Sequence, residues 1–175
     1  NLERHVLAVR AAVAPGCRFG VELRLAAAAA EVLAVPARLR ELQCFLADHA
    51  LYVFTINGFP FGAFHGVRVK EAVYEPDWGD DRRLAYSDRL ATLLAALLPE
   101  EDRLYGSVST VPGAFRARVR TPWDTAAIAD RLVRHVATLV ALEADSGRCI
   151  RLALEPEPWC LLETVSDAVA FFREH

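Results

Sequence analysis

Methionine, a basic charge excess and long apolar runs are all missing from this 175-residue sequence. Because it lacks methionine and opens on NLERHVLAVR, a pattern typical of a helix already begun, we expect it to belong to a longer protein. The formal net charge of −3 provides no basic field for nucleic acid or an anionic membrane surface. No window of about 18 residues is apolar and uncharged, so we expect no membrane span, and no signal peptide is evident.

Cysteine is sparse and scattered: the four residues are Cys17, Cys44, Cys149 and Cys160. No C-x-x-C spacing occurs, which argues against a zinc ribbon and offers no disulfide framework, so we expect a reducing cytoplasm. The G-x-G-x-x-G, Walker A, G-x-S-x-G and H-E-x-x-H motifs are also missing. Their absence argues against a dinucleotide enzyme, an NTPase and a serine hydrolase.

What is present is a regular alternation of apolar segments and helical patterns, in a chain that is 54% apolar. Strands are predicted at 18–25, 51–57, 104–111 and 149–155. A helical pattern precedes the first of them and follows each one. Thr121 with Asp124, and Thr164 with Asp167, predict capped starts for the last two helices. We therefore expect one α/β domain over residues 1–175, without an internal boundary.

Strict alternation of strands and helices predicts a parallel sheet with right-handed crossovers. The strand interiors are apolar, which predicts that both faces of the sheet are covered. An open doubly wound sheet and a (β/α)8 TIM barrel both satisfy this pattern. A barrel needs eight units and about 250 residues. Four units with a helix before the first strand fit the middle part of a barrel.

Polar side chains stand at the carboxyl ends of the predicted strands, where both architectures place their sites. Glu155 is a metal-ligand candidate, because a carboxylate at the mouth of a packed sheet needs a cation or an ion pair. Mg²⁺ and Mn²⁺ suit carboxylate oxygens. A salt bridge to Arg24 is the alternative. Prolines after Glu155 and Glu157 restrict the backbone there, as a preorganised site or a plain rigid turn would require.

The loop after the second strand, GFPFGAFHG, carries aromatic side chains that could enclose a small ligand, among them Phe61. Its His65 suits an acid, a base or a ligand, or else a structural bond to a backbone carbonyl. The long segment that follows contains Lys70, Tyr74 and Trp78, and long loops are often lids or binding loops. Lys70 could neutralise an anionic substrate or be an ordinary exposed lysine.

The segments YVFTINGFPFGAFHG, VKEAVYEPDW, GSVSTVPGAF and LALEPEPWCLLET resemble the EboE-type metabolite traffic proteins of the xylose isomerase-like TIM-barrel superfamily. The resemblance implies that the chain supplies the second to fifth strands of a barrel in a family of roughly twice its length. It also implies that Glu155 matches the first of four metal ligands, with the others beyond the last residue. His65 matches a position that often holds a catalytic or substrate-binding histidine.

Together with these observations, the resemblance implies a divalent-metal-dependent isomerase or epimerase acting on a small sugar, sugar phosphate or polyol. Glu155 would bind Mg²⁺, Mn²⁺ or Zn²⁺, and His65 and Lys70 would be the catalytic residues. The remaining candidates are assigned to substrate contact: Arg24, Asn57, Phe61, Tyr74, Trp78 and Glu157. The alternative is a non-catalytic binding or trafficking protein for a hydrophobic secondary-metabolite precursor. Because open strand edges pair readily, we also expect this segment to aggregate or to form a homo-oligomer when it is expressed as it stands.

Overall fold

The computed structural model describes residues 2–62, 70–100 and 104–175, with only the backbone for residues 70 and 71. The strands are β1 (Phe19–Arg24), β2 (Leu51–Asn57), β3 (Gly106–Thr110) and β4 (Ile150–Leu154). The α-helices are α1 (Leu7–Val13), α2 (Ala27–Leu33), α3 (Pro36–Asp48), α4 (Asp81–Leu97), α5 (Pro122–Ser146) and α6 (Val165–Glu174). A π-helical turn at Leu2–Val6 leads into α1, and 3₁₀ turns lie at Lys70–Tyr74 and Arg116–Arg118.

The four strands form one parallel sheet in the order β1-β2-β3-β4. The predictions of four strands, a parallel sheet and alternating helices are confirmed. Doubly wound sheets reverse their strand order at a switch point. No such reversal occurs among the described strands, so each crossover moves one strand further in the same direction.

Local sequence signals fix where the last two helices begin. The Thr121 side chain accepts a hydrogen bond from the Asp124 amide and the Asp124 carboxylate accepts from the Thr121 amide, a reciprocal capping box. Thr164 and Asp167 repeat it at α6, so both predicted starts are confirmed. Helix α5 ends where Gly147 takes φ 70°, a left-handed conformation that glycine adopts without a steric penalty.

The core lies on the helix side of the sheet. Alternate strand residues point there, and Val53, Ile56 and Val108 are almost completely buried. Helix α4 packs against β2, β3 and β4 and contributes the fully buried Leu90 and Leu94.

The opposite face of the sheet is open. Glu22, Arg24, Arg151 and Ala153 are exposed on it, so the prediction that both faces are covered is wrong for the described residues. The physical reason is the alternation within each strand. FGVELR buries Val21 and exposes the charged residues on either side of Leu23, which is the pattern of a half-buried strand.

A β-bulge in β2 determines which of its side chains lie on this open face. Val21 pairs with Val53, but Glu22 pairs with Thr55, which leaves Phe54 as the extra residue. The extra residue lets Val53 and Ile56 both enter the core while Thr55 joins the face that carries Glu22.

Candidate functional site

Two rows of mainly polar residues cross the open face, one residue from each strand. The inner polar row is Glu22, Thr55, Ser107 and Arg151, which are successive register partners. The end row, nearer the carboxyl ends, is Arg24, Asn57, Ser109 and Ala153. Because side chains two residues apart share a face, both rows lie on the same side of the sheet. We call this surface the polar face.

Two hydroxyl groups form a hydrogen bond at the middle of the inner polar row. The Thr55 and Ser107 hydroxyl oxygens are 2.8 Å apart, and the Thr55 hydroxyl also lies 3.0 Å from the Ser107 carbonyl oxygen. At one flank, the Arg151 guanidinium stacks over the Tyr105 ring, with its central carbon 3.8 Å from the ring centroid. The row therefore combines hydrogen-bonded hydroxyl groups at its centre with a charged group at each end.

Strand β2 is followed by a tight turn that lies next to the end row. The Asn57 side-chain oxygen accepts a hydrogen bond of 3.1 Å from the Phe59 amide, an Asx-type turn that orients the carboxamide. Gly58 donates to the Ser109 carbonyl oxygen at 3.0 Å. A Cβ atom at position 58 would lie 2.9 Å from that oxygen and 2.6 Å from a Leu90 methyl group. Only glycine fits there without displacing its neighbours.

The two glutamates after β4 have different surroundings. The Glu155 amide donates to the Thr110 carbonyl oxygen at 3.1 Å, which continues the strand pairing and leaves the half-buried Glu155 in line with Ala153. Glu157 instead lies beside Tyr74 and Cys160, and its charge raises the pKa of both groups. Glu155 therefore belongs to the polar face and Glu157 to a neighbouring cluster.

Tyr74 is the centre of that neighbouring cluster. Its ring stacks on Phe115 at 5.7 Å and meets Phe59 edge-on at 5.6 Å, and its hydroxyl lies near the Cys160 thiol. Burial, followed by Cys160 and Glu157, raises the pKa of Tyr74 to about 12. Burial is also the main cause that raises the pKa of Cys160 to about 11. Tyr74 thus packs among protein groups, with its phenol held neutral.

Trp78 is fully buried, and its indole nitrogen donates to the Thr110 hydroxyl at 3.2 Å. This position, in a core cluster below β3, does not support its assignment to substrate contact. Phe61 is half-buried, with its ring 5.1 Å from that of Tyr86. Tyr74, Trp78 and Phe61 therefore each contact other side chains of the protein.

Sequence reasoning missed Arg83, a fully buried arginine on α4. Its guanidinium donates to the Pro76 carbonyl oxygen at 2.7 Å and to the Gly58 carbonyl oxygen at 2.8 Å, joining the loop after β2 to the segment before α4. Burial lowers the pKa of Arg83 to about 10. A signal for it does exist: Arg83, Ser87, Leu90 and Leu94 follow helical spacing along the buried stripe of α4.

The structure does not describe the side chains of the two predicted catalytic residues. His65 lies outside the described residues, and for Lys70 the structure describes the backbone alone, at the start of a 3₁₀ turn. Arg24, Asn57 and Glu155 are the predicted site residues that the fold brings to the polar face.

A metal centre needs several ligands that converge. Within residues 2–62, 70–100 and 104–175, no group of three or more His, Cys, Asp or Glu side chains is placed to hold a metal ion. Glu155 alone offers one carboxylate, which does not make a metal site by itself.

A depression of about 510 Å³ lies near the first turns of α4 and α5. Its three carboxylates already have partners within the protein. The Asp77 carboxylate lies 2.8 Å from the Arg118 side chain, Asp80 pairs with Arg82, and Asp124 caps α5. These pairs hold the loops together, and the polar face remains the better candidate site.

Among the described residues, no helix has both the length and the apolar character needed to cross a membrane. Comparison of the chain with protein-family models, with curated proteins and with solved structures finds no match.

Proposed function

We propose that the chain forms part of a (β/α)8 barrel whose polar face binds a small polyhydroxylated metabolite such as a sugar, sugar phosphate or polyol. The observation that carries the proposal is the pair of polar rows on one face of four parallel strands in sequential order, with the end row close to the carboxyl ends of the strands. In barrel enzymes this end of the strands forms the site.

The chemistry of the rows suits a ligand rich in hydroxyl groups. Ser109, Asn57 and Thr55 supply hydroxyl and amide groups that both donate and accept hydrogen bonds. Glu22 and Glu155 accept from ligand hydroxyls, while Arg24 and Arg151 suit a phosphate or carboxylate. A ligand rich in hydroxyl groups offers further hydrogen-bond partners to these groups, whereas an apolar ligand offers none.

The proposed reaction class is isomerisation or epimerisation, on the strength of the resemblance to the xylose isomerase-like, EboE-type proteins. In this proposal Glu155 gives one ligand to Mg²⁺, Mn²⁺ or Zn²⁺, and the other ligands come from outside the described residues. His65 and Lys70 are the proposed catalytic side chains. The described residues supply a single carboxylate for the ion.

The trafficking alternative requires an apolar binding surface. Phe59 and Tyr74 pack against each other, and Phe61 packs against Tyr86, so these rings support the loops. The polar face therefore favours a polar ligand over a hydrophobic one. Under the alternative, Phe61→Ala would weaken binding and Glu155→Gln would not.

The two glutamates provide a matched test. Binding of D-xylose, D-ribulose 5-phosphate and myo-inositol is measured by calorimetry for the wild type, Glu155→Gln and Glu157→Gln, with and without Mg²⁺, Mn²⁺ or Zn²⁺. We expect at least one probe to bind the wild type, and Glu155→Gln to weaken it about tenfold, the loss of about 1.4 kcal/mol of binding free energy. Glu157→Gln, whose residue faces the Tyr74 cluster, should change it less than threefold.

Each part of the proposal fails separately in this experiment. If no probe binds under any condition, the polar-ligand proposal is wrong. If a probe binds, but none of the three ions changes its affinity or the melting temperature of the wild type, the metal part is wrong. Equal effects of the two substitutions would contradict the separation of Glu155 from Glu157.

A further inference from the structure

Four polar residues at the centre of the polar face form a compact block. Thr55 and Asn57 on β2 are the register partners of Ser107 and Ser109 on β3. Neighbouring strands lie about 4.8 Å apart and residues two apart in a strand lie about 6.6 Å apart, so one small ligand can reach the whole block. Strands β2 and β3 are each paired on both sides, so the geometry of the block is set by neighbours that the sheet already contains.

The hydrogen bonds of Thr55 determine where the hydroxyl protons of this block lie. A carbonyl oxygen only accepts, so the Thr55 hydroxyl is the donor in its 3.0 Å hydrogen bond to the Ser107 carbonyl oxygen. A hydroxyl group has a single proton. In the 2.8 Å contact between the Thr55 and Ser107 hydroxyl oxygens, the proton must therefore come from Ser107.

The Ser107 side chain is consequently left as an acceptor. Its one proton is directed at Thr55, so the lone pairs of its oxygen are all that it offers to a ligand. A hydroxyl group that donates within such a chain is polarised and accepts more strongly. The ligand group over Ser107 must then bring its own proton, as a hydroxyl group does and as a carbonyl or ether oxygen does not.

Asn57 imposes the opposite requirement. The Phe59 amide donates to the Asn57 side chain at 3.1 Å, which identifies the atom it meets as the oxygen and leaves the carboxamide nitrogen for the ligand. The two N–H groups of that nitrogen are donors only, so the ligand atom over Asn57 must be an acceptor. The block therefore offers a donor near the carboxyl ends of the strands and an acceptor one row further back.

We propose that this proton order makes the polar face specific for a ligand that places a hydroxyl group over Ser107 and an acceptor oxygen over Asn57. The inference rests on the proposed function and narrows its ligand class, because a carbonyl, ether or phosphate oxygen over Ser107 would meet another acceptor. Thr55 acts through Ser107 as a positioning residue: it holds the Ser107 proton away from the ligand.

A purely structural role for the two hydroxyl groups makes a different prediction. The pair lies directly after the bulge at Phe54 and joins β2 to β3. If it only stabilised that junction, Thr55→Val would lower the melting temperature without changing which ligands bind. Ligand selectivity is therefore the measurement that separates the two roles.

Replacement of single ligand hydroxyl groups by fluorine tests the proton order, because fluorine is of similar size and cannot donate. The affinities of D-xylose, myo-inositol and their monodeoxyfluoro derivatives are measured by ligand-observed NMR, with circular dichroism as a check on folding. The proteins are the wild type, Thr55→Val, Thr55→Ser, Ser107→Ala and the control Thr92→Val. The Thr92 hydroxyl is bonded to the Asp88 carbonyl oxygen within α4, away from the polar face.

In the wild type we expect one derivative to bind about tenfold more weakly than its parent compound, because its fluorine meets the Ser107 acceptor. Thr55→Val keeps the side-chain shape but frees the Ser107 proton, which then turns towards the fluorine, so this loss should shrink to about threefold or less. Thr55→Ser and Thr92→Val should keep the tenfold loss. Ser107→Ala should weaken the parent compound and remove the difference.

The same loss in the wild type and Thr55→Val, or no derivative with such a loss, would overturn the inference. The proposed function would still stand if a parent compound binds and Glu155→Gln weakens it. If Thr55→Val does not fold, a tenfold loss that persists in Ser107→Ala overturns the inference instead. If neither parent compound binds the wild type, the inference is wrong, and if D-ribulose 5-phosphate also fails to bind, the proposed function is wrong with it.

Discussion

At the scale of single residues, Arg83 has the largest predicted effect on stability. It is fully buried and donates to the carbonyl oxygens of Gly58 and Pro76. Arg83→Met keeps most of the volume but leaves both oxygens without a donor. Because each buried group left unpaired costs about 1–3 kcal/mol, we expect the free energy of unfolding to fall by about 2–4 kcal/mol, measured by urea denaturation.

The adjacent arginine is the matched control for this substitution. Arg82 pairs with Asp80 on the surface, 2.6 Å away, and its side chain is mostly exposed. Arg82→Met should cost less than about 1 kcal/mol. Equal costs at positions 82 and 83 would show that the buried hydrogen bonds of Arg83 do not hold the two loops.

The buried thiol of Cys160 makes stability depend on alkaline pH. Burial raises its pKa from 9.0 to about 11, so above pH 9 the unfolded chain loses this proton while the folded chain keeps it. The unfolded state then binds fewer protons, and stability falls as pH rises from about 9 towards 11. We expect the melting temperature to decline between pH 8.5 and 10 in the wild type, and to decline less steeply in Cys160→Ala. Parallel curves for the two proteins would contradict this assignment.

At the scale of secondary-structure elements, the turn after β2 depends on one glycine. A Cβ atom at position 58 would come within 2.9 Å of the Ser109 carbonyl oxygen, a backbone atom that cannot move without shifting β3. We expect Gly58→Ala to destabilise the protein by about 1–3 kcal/mol, the usual cost of overpacking. Gly62→Ala, where an added Cβ would have no described atom within 4 Å beyond its chain neighbours, should be nearly neutral in the same denaturation experiment. Equal stability of the two variants would contradict the close approach of β2 and β3 at this turn.

The elements themselves follow from local sequence signals. Thr121 and Thr164 each stand three residues before an aspartate, and that spacing is sufficient to predict where α5 and α6 begin. The predicted strand at 51–57 has the observed bounds, because a run of β-formers ends there at Asn57 and Gly58. Hydrogen bonding and backbone preference over a few residues decide these features.

Features that depend on distant contacts could not be predicted in this way. The bulge at Phe54 is defined only by the register between β1 and β2. Arg83 is charged, and its burial depends on two carbonyl groups that the chain brings to it from positions 58 and 76. Trp78 was assigned to a binding loop, but the Thr110 hydroxyl that accepts its hydrogen bond lies 32 residues further along.

At the scale of the whole molecule, the sequential parallel order gathers all four carboxyl strand ends along one edge. That arrangement unites Asn57, Ser109 and Glu155 on the polar face, although they are far apart in the sequence. The prediction of polar strand ends could be made from the sequence. The finding that they share one open face required the register and the burial of each strand.

The central claim is that the polar face binds a small polyhydroxylated ligand, and hydroxyl deletion tests it most directly. Binding of D-xylose, D-ribulose 5-phosphate and myo-inositol is measured by ligand-observed NMR for the wild type, Ser109→Ala and Thr92→Ala. Thr92 is exposed on α4, away from the polar face, so its hydroxyl is the matched control. We expect one or more probes to bind, Ser109→Ala to weaken that binding about fivefold to tenfold through loss of a hydrogen bond, and Thr92→Ala to leave it unchanged. The claim is contradicted if no probe binds the wild type, or if the two hydroxyl deletions have the same effect.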